Sequence, residues 1–386
     1  MESKGMALIV KKFGGTSVST PGRRLQVIEK IVNEKKAGND VVVVVSAMGR
    51  RGDPYATDTF LDMLSGISPR PASRTKDLLA SCGETITACL VAEDLRANGY
   101  PAVPVTGLQA GIRTDSRFTN GVVQDVDAAY LREIIAGGAV AVVTGFQGYN
   151  DRMDVVTLGR GGSDITAIAL GGALDADGVE IFTDVPGIAF TDPRLVPSTP
   201  FLSSIDFTPM YMLASTGAKV VHPRAVSTAV KFNRPFWVRS TFNDEPGTLI
   251  GQKGEAPGGL YGIALMNDMV LASMDSCDEA TDVEQGMKQF ACNEWFYRQQ
   301  PGKTSAILEP VVAEELELDC RLTDVGVVTL QWDPDSGITA EAVNHALTSR
   351  GIVPEEYFEV PGGGSWAVEQ SKANEALLVL FRAPLL

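Results

Sequence analysis

Short apolar runs alternate with stretches of helical spacing through roughly the first 250 residues. Ala7-Leu8-Ile9-Val10 has strand length, and Leu25, Ile28, Ile31 and Val32 then recur at helical intervals. Pro21 near the start of that pattern and Gly38 past its end fit the termini of a helix. Val41-Val42-Val43-Val44-Val45 follows, apolar on both faces, as in a parallel sheet covered on both sides. Runs at 139–143 and Glu180-Ile181-Phe182 repeat the theme. The alternation predicts an α/β fold on a mostly parallel sheet.

The pattern changes after Gly251-Gln252-Lys253-Gly254-Glu255-Ala256-Pro257-Gly258-Gly259, a run of Gly, Pro and charge that reads as a linker. Beyond it, a strand-like segment at 262–274 precedes an amphipathic stretch at 283–290. Another strand at 325–332 precedes a helical pattern at 339–349 ended by Gly351. These strand-then-helix units look like an approximate duplication, which predicts a smaller α+β region for regulation or dimerisation. The expected division is therefore 1–250, linker 251–259, and 260–386. His345 falls on the later helix and reads as a surface or boundary residue.

The chain has 386 residues, enough for two or three domains with a buried core. Its net charge of -15 argues against a nucleic-acid partner and against adsorption to an anionic membrane. Local cations and backbone dipoles can still hold a phosphate on an acidic protein. The five cysteines form no C-x-x-C, so neither a zinc set nor a disulfide framework is expected, and a reducing cytoplasm is the simpler setting. Cys82 is expected as a packed free thiol. Residues 1–5 lead into a strand too short for a signal-peptide core, and no apolar run approaches the ~18 residues of a membrane span.

Small-residue loops end several of the predicted strands, where open α/β sheets bind ligands. They include Ser46-Ala47-Met48-Gly49, Gly145-Phe146-Gln147-Gly148 and Thr183-Asp184. Two glycine-rich segments also carry charge: Lys12-Phe13-Gly14-Gly15-Thr16-Ser17-Val18, and Leu158-Gly159-Arg160-Gly161-Gly162-Ser163-Asp164 leading into a helical pattern. Consecutive glycines let backbone N–H groups turn toward one anion, and a helix N-terminus adds partial positive charge. Tight turns would explain the glycines, but not the charges beside them. Neither segment has G-x-x-x-x-G-K-[ST] spacing, and no H-R-D or D-F-G set appears, so P-loop NTPases and protein kinases are disfavoured.

Phosphoryl transfer needs positioned cations and a docked acceptor more than covalent help from the protein. Lys12 is the natural group to neutralise the transferring oxygens, the alternative being a solvated lysine after an edge strand. Lys11, facing the opposite way, is expected to be the solvated one of the pair. Glu84 opens a helix after Gly83, where it can cap the dipole or bind an ammonium. Arg160 can clamp a carboxylate bidentately, and with Glu84 would read the zwitterionic end of an amino acid. Asp164 can orient Lys12 or cap a helix. Thr183-Asp184 and Gly217-Ala218-Lys219-Val220 can hold nucleoside and phosphate groups, unless Lys219 is an ordinary surface residue. His222-Pro223-Arg224 looks structural.

In order and spacing, segments 12–18, 46–49, Gly83-Glu84, 157–164, 182–194 and 217–224 resemble the aspartate kinases of the amino-acid-kinase family. The resemblance covers nearly all of residues 7–250. Val42 to Asp62, with Met48-Gly49-Arg50-Arg51-Gly52-Asp53-Pro54-Tyr55-Ala56-Thr57-Asp58, looks most like the diaminopimelate-pathway isozyme of spore-forming Gram-positive bacteria. The resemblance implies a parallel-rich sheet sandwiched by helices, followed by two ACT-like units that bind effector amino acids and mediate dimerisation. It implies transfer of the γ-phosphate of Mg-ATP to the β-carboxylate of L-aspartate, on the route to lysine, threonine and methionine. Lys12 would stabilise the transferring group and Asp164 would hold Lys12. Arg160 and Glu84 would bind the substrate α-carboxylate and α-ammonium, with Ser46, Thr57 and Ser163 near its side chain. Gly14, Gly15, Thr183, Asp184, Arg194 and Lys219 would contact ATP, and no protein-held metal set is expected. A general base is unnecessary, because the acceptor carboxylate is already ionised at neutral pH.

A kinase of another acidic amino acid, and a catalytically silent regulatory paralogue, are the competing readings. Three departures from the family stand out, one being Val155-Val156-Thr157 in place of a more Thr-rich approach to the second glycine segment. Ala189 replaces the aromatic or Met expected to pack on adenine. Cys277-Asp278-Glu279-Ala280 and Asp333-Pro334-Asp335-Ser336 stand where Pro-Gly turns usually precede the ACT effector helices.

Overall fold

A computed structural model of the chain describes residues 7–251, 254, 256–274, 277–289, 292, 294–318 and 320–383. Residues 1–5, Gln252, Lys253 and Glu255 of the expected linker, and Phe290 at the end of the amphipathic stretch lie outside them. The chain divides into two compact units, Met1–Ile188 with Arg224–Gln252, and Ala189–Pro223 with Lys253–Leu386.

In the first unit the Val-rich strands form the centre of a sheet. Its strands are β1 (Leu8–Phe13), β2 (Asp40–Val45), β3 (Ala102–Val105), β4 (Val140–Thr144), β5 (Gly178–Thr183), β6 (Phe236–Ser240) and β7 (Thr248–Ile250). They stand in the order β7-β6-β5-β1-β2-β4-β3, and every neighbouring pair is parallel except β6 and β7. Helices α1 (Pro21–Lys36), α2 (Cys82–Ala97) and α3 (Gly162–Ala173) are connections within this unit. The start of α1 is set locally: the Thr20 hydroxyl accepts from the Arg23 N–H, and Pro21 fills the first turn, where its missing donor costs nothing. Val27, Ile31, Val43, Val91, Leu95 and Val142 meet in one fully buried cluster, each side chain contributing about 1.5–3 kcal/mol.

Lys11 corrects the expectation that it would be solvated. It does point away from Lys12's partners, but it is 3% exposed and pairs with Glu34 of α1 at 3.0 Å and with Glu180 of β5. A parallel sheet covered on both faces offers its central strands no water-facing side, so alternation along β1 exchanges one buried environment for another. Cys82 is the opposite case: the expected packed thiol is exposed, with its Sγ donating to the Leu78 carbonyl at 3.5 Å.

A second, four-stranded sheet in this unit is made of Val123–Val126, Ile112–Thr114, Gln147–Tyr149 and Val155–Thr157, in that spatial order. Its last strand delivers the chain to the second glycine segment.

The other unit is antiparallel. After residue 259 its strands and α-helices are β8 (Leu260–Met274), α4 (Cys277–Gln289), β9 (Tyr297–Gln300), β10 (Lys303–Leu308) and α5 (Pro310–Glu315), then β11 (Arg321–Trp332), α6 (Ala340–Thr348), β12 (Glu356–Val360), β13 (Gly363–Glu369) and α7 (Ala373–Arg382). The same strand–helix–strand–strand–helix order occurs twice, and the six strands make one sheet, β9-β10-β8-β11-β13-β12. Sequence pattern located the long strands and α4 and α6 but missed the short closing elements, where Gly363-Gly364 interrupts the alternation. Asp268, at φ 57°, marks an irregularity in β8 between Met266 and Met269. Val328, Leu330, Val343, Leu347, Trp366 and Leu377 share a core with Val196, and the Ile263 N–H donates to the Phe190 carbonyl at 2.9 Å. Segment 189–223 thus packs with this unit. His345 is exposed on α6, as expected.

Candidate active site

At the end of β1 the chain turns through Gly14, whose N–H donates to the Phe182 carbonyl at 3.2 Å, into the single helical turn Gly15–Val18. A Cβ on Gly15 would lie 2.5 Å from the Ala47 carbonyl oxygen and 2.9 Å from that of Gly49. The Gly49 N–H meanwhile donates to the Gly15 carbonyl at 3.0 Å. The first glycine segment and the 46–49 loop after β2 are therefore packed backbone on backbone, and only glycine fits. Lys12, the penultimate residue of β1, aims its ammonium at Asp164 Oδ1, 2.7 Å away. Both residues are nearly buried, at 9% and 8% exposure.

In the second segment, Gly159 (φ 73°) and Gly161 (φ 71°) adopt left-handed backbone conformations, and α3 begins at Gly162. Asp164 falls in the first turn of α3, so its carboxylate serves the helix dipole and the Lys12 pair together. Ser163 Oγ accepts from Ser46 Oγ at 3.0 Å, tying this segment to the end of β2. Arg160 is exposed and, among the described residues, engages no hydrogen bond or ion pair.

Glu84 lies in the first turn of α2 and is only 2% exposed. One carboxyl oxygen, Oε1, accepts from the Ala47 N–H at 3.0 Å, while Oε2 is buried without a partner among the described residues. Burial pushes its pKa from 4.5 to about 8, against the pull of the Ala47 N–H and its own backbone N–H. The free carboxyl is thus mostly protonated at neutral pH, and it must release that proton before its unpartnered oxygen can take a cation brought by a ligand. Gly83 is demanded by the same packing, because a Cβ there would meet Ala47 Cβ at 2.7 Å.

The 46–49 loop is the hub. Ser46 reaches the second glycine segment, the Ala47 amide reaches Glu84, and Gly49 reaches the first glycine segment. Gly14, Gly15, Lys12, Ser46, Glu84, Ser163 and Asp164 are joined through these contacts and the Lys12–Asp164 pair. Thr183 closes β5 and donates from Oγ1 to Asp184 at 3.2 Å; Asp184 pairs with Arg50 at 3.0 Å. Thr57 opens the helix Thr57–Ser65 and makes no direct bond to the hub among the described residues. Arg194 and Lys219 belong to the other unit, where Arg194 pairs with Asp192 at 2.6 Å.

Sequence pattern did not single out Asp77, a carboxylate only 1% exposed, whose oxygens receive the N–H groups of Thr119 and Thr157 and the Thr157 hydroxyl. Burial raises its pKa in spite of these donors. The available signal was a charged residue beside Leu78-Leu79-Ala80 in a helix. Arg224 does have the structural character expected of it, bonding the Leu158 carbonyl that opens the second segment.

Residues 7–240 match the model of the amino acid kinase family. Aspartokinase 1 of Bacillus subtilis is 39% identical over 333 residues, which cover 83% of this chain and 82% of that protein. The aspartokinase of Mycolicibacterium smegmatis is 47% identical over 246 residues, 64% of this chain and 57% of the relative, so the chain spans less than two thirds of that protein's length. The same holds for the aspartokinase of Bacillus sp. strain MGA3, 45% identical over 248 residues and matched over 59% of its length. Among solved structures, E. coli aspartokinase III in complex with aspartate and ADP shares the fold, with a TM-score of 0.76 over 97% of this chain and 100% of that one at 23% identity. The aspartate kinase of Synechocystis superposes with a TM-score of 0.57 at 30% identity, covering 98% of this chain and 69% of that one. With the family model matching residues 7–240 and a relative matched along most of both lengths, this chain belongs to the amino acid kinase family, among its aspartokinases.

Proposed function

We propose that the chain transfers the γ-phosphoryl group of ATP to the β-carboxylate of L-aspartate, giving 4-phospho-L-aspartate and ADP. The observation that carries the reading is the buried Lys12–Asp164 pair joined through one loop to a buried Glu84 with an unpartnered oxygen. A β-carboxylate oxygen forms the new P–O bond while the bond from the γ-phosphorus to the ADP oxygen breaks. Lys12 would offset charge on the transferring oxygens, with Asp164 keeping its ammonium in place. Glu84 would take the α-ammonium on Oε2, and Arg160 would close on the α-carboxylate. Ser46 and Ser163, already hydrogen-bonded to each other, stand beside these groups and would face the aspartate side chain with Thr57.

Gly14, Gly15, Thr183, Asp184, Arg194 and Lys219 would contact the nucleotide. Mg2+ would enter on the ATP phosphates; it keeps several waters and commonly takes only one or two protein carboxylates, so no dedicated cage is required. The product is a mixed anhydride suited to reduction, as expected of a first step toward lysine, diaminopimelate, threonine and methionine. We assign the reaction to the cytoplasm, where ATP and free aspartate are both available. We read residues 260–386 as two diverged ACT-like units for dimerisation and for an amino-acid effector, supported by their repeated element order.

ADP release with L-aspartate, L-glutamate and N-acetylglutamate as acceptors tests this reading. Turnover with L-aspartate above the other two is expected. Turnover only with another acceptor, or with none, would overturn it.

A further inference from the structure

The second glycine segment carries Arg160, whose side chain engages no hydrogen bond or ion pair among the described residues. The backbone just upstream is restrained instead, and from two sides. On one side is Asp77, whose carboxylate takes the Thr157 N–H at 2.9 Å and the Thr157 hydroxyl at 2.7 Å. The same carboxylate receives the Thr119 N–H on both oxygens, at 3.0 and 2.9 Å. On the other side Arg224 donates to the Leu158 carbonyl and to Asn120 Oδ1, and at 2.6 Å to the Gly121 carbonyl.

The turn at 119–121 completes the enclosure. The Gly121 N–H donates to the Thr157 carbonyl at 2.8 Å. A Cβ on Gly159 would fall 3.0 Å from both the Thr119 carbonyl oxygen and Asn120 Oδ1, and 3.1 Å from Arg224 Nη1. Thr119 itself is held at φ 69°, a conformation a threonine seldom adopts unless its surroundings impose it. The three residues before Arg160 therefore have almost no freedom, although Arg160 is exposed.

Burial makes the arrangement costly to disturb. Asp77 is 1% exposed, and a buried carboxylate loses far more when a donor is removed than a surface one does. A structural staple alone does not require every restraint to converge on the residues that launch Arg160 and Asp164. We propose that Asp77 and Arg224 are positioning residues for acceptor binding: together they clamp residues 157–159 so that Arg160 is presented to the α-carboxylate of the amino-acid substrate. This rests on the proposed reading of Arg160 as the carboxylate clamp.

The test compares Asp77→Asn and Thr157→Val with the unmodified full chain, reading the KM for aspartate, the KM for ATP, kcat and thermal stability. Asparagine keeps the shape but places an NH2 group against N–H donors. Valine removes one hydrogen bond and leaves the volume. Asp77→Asn is expected to raise the aspartate KM by roughly tenfold to a hundredfold, with the ATP KM within about twofold. Thr157→Val should show a smaller rise of the same selectivity, and it decides the matter if Asp77→Asn does not fold. Reduced thermal stability with an unchanged aspartate KM, or equal rises in both KM values, would overturn the proposal. Absence of aspartate-dependent turnover in the unmodified chain would instead remove the functional reading, and this inference with it.

Discussion

The first glycine segment is fixed by what it touches directly, whereas the second is fixed from a distance. Gly15 lies against the backbone of Ala47 and Gly49 with no space for a Cβ, and Lys12 issues from a central strand paired on both sides. The second segment rises from a short strand of the smaller sheet and depends on Asp77 and Arg224, residues that precede and follow it by dozens of positions. The difference matches the work proposed for each. A phosphate cradle made of backbone N–H groups has to be rigid at its own atoms. A side-chain clamp such as Arg160 has to be aimed, then left free to close.

This contrast can be broken experimentally. The largest effect is expected at Lys12: Lys12→Ala should lower kcat by roughly a hundredfold to a thousandfold, with little change in the aspartate KM, by steady-state ADP release. If the KM rose as much as kcat fell, Lys12 would be binding the ground state rather than the transferring group. Arg160→Ala comes next and should do the reverse, raising the aspartate KM by about tenfold to a hundredfold, as loss of a charged hydrogen-bond pair would. A fall in kcat with the KM unchanged would show that the two segments do not divide the work as proposed.

The smallest and most specific effect concerns Glu84, which stands between the two segments. Its pKa of about 8 in the folded chain means that at pH 7 the carboxyl is mostly protonated, while a bound ammonium calls for the ionised form. Aspartate binding at pH 7 should therefore release up to about one proton, and affinity should strengthen as pH rises toward 8. Calorimetry in two buffers of different ionisation enthalpy measures the release, and equal heats in both would exclude it. The folded pKa lies above the ordinary 4.5, so burial favours the protonated fold. Stability should accordingly fall as pH rises from 4.5 to about 8, and Glu84→Gln should flatten that fall.

Much of this architecture was legible along the chain. Val41–Val45 read as a doubly covered strand because five consecutive β-branched residues leave no polar face. Both glycine segments stood out because glycine beside charge at a strand end has few other uses. Lys11 was misread for an equally physical reason: alternation shows that two neighbours face opposite ways, but not that both faces are buried. Its partners Glu34 and Glu180 lie 23 and 169 residues away, and only the sheet order brings them together. Asp77 was invisible for the same reason, since a lone Asp in a helix gives no sign of the donors waiting 42 and 80 residues downstream. In the second unit, the duplicated long strands were apparent while the short strands and α7 were not, because their stability comes from sheet partners rather than from their own composition.

By itself, then, the sequence determined the element types, the two glycine turns and the identity of the charged groups, all of which follow from local sterics and periodicity. The tertiary structure decided the pairings that local pattern left open. It set Lys11 against Glu34 and Glu180 rather than water, left one oxygen of Glu84 without a partner among the described residues, and anchored the approach to Arg160 on Asp77. Burial and long-range pairing set those outcomes, and neither is encoded within any single stretch of chain.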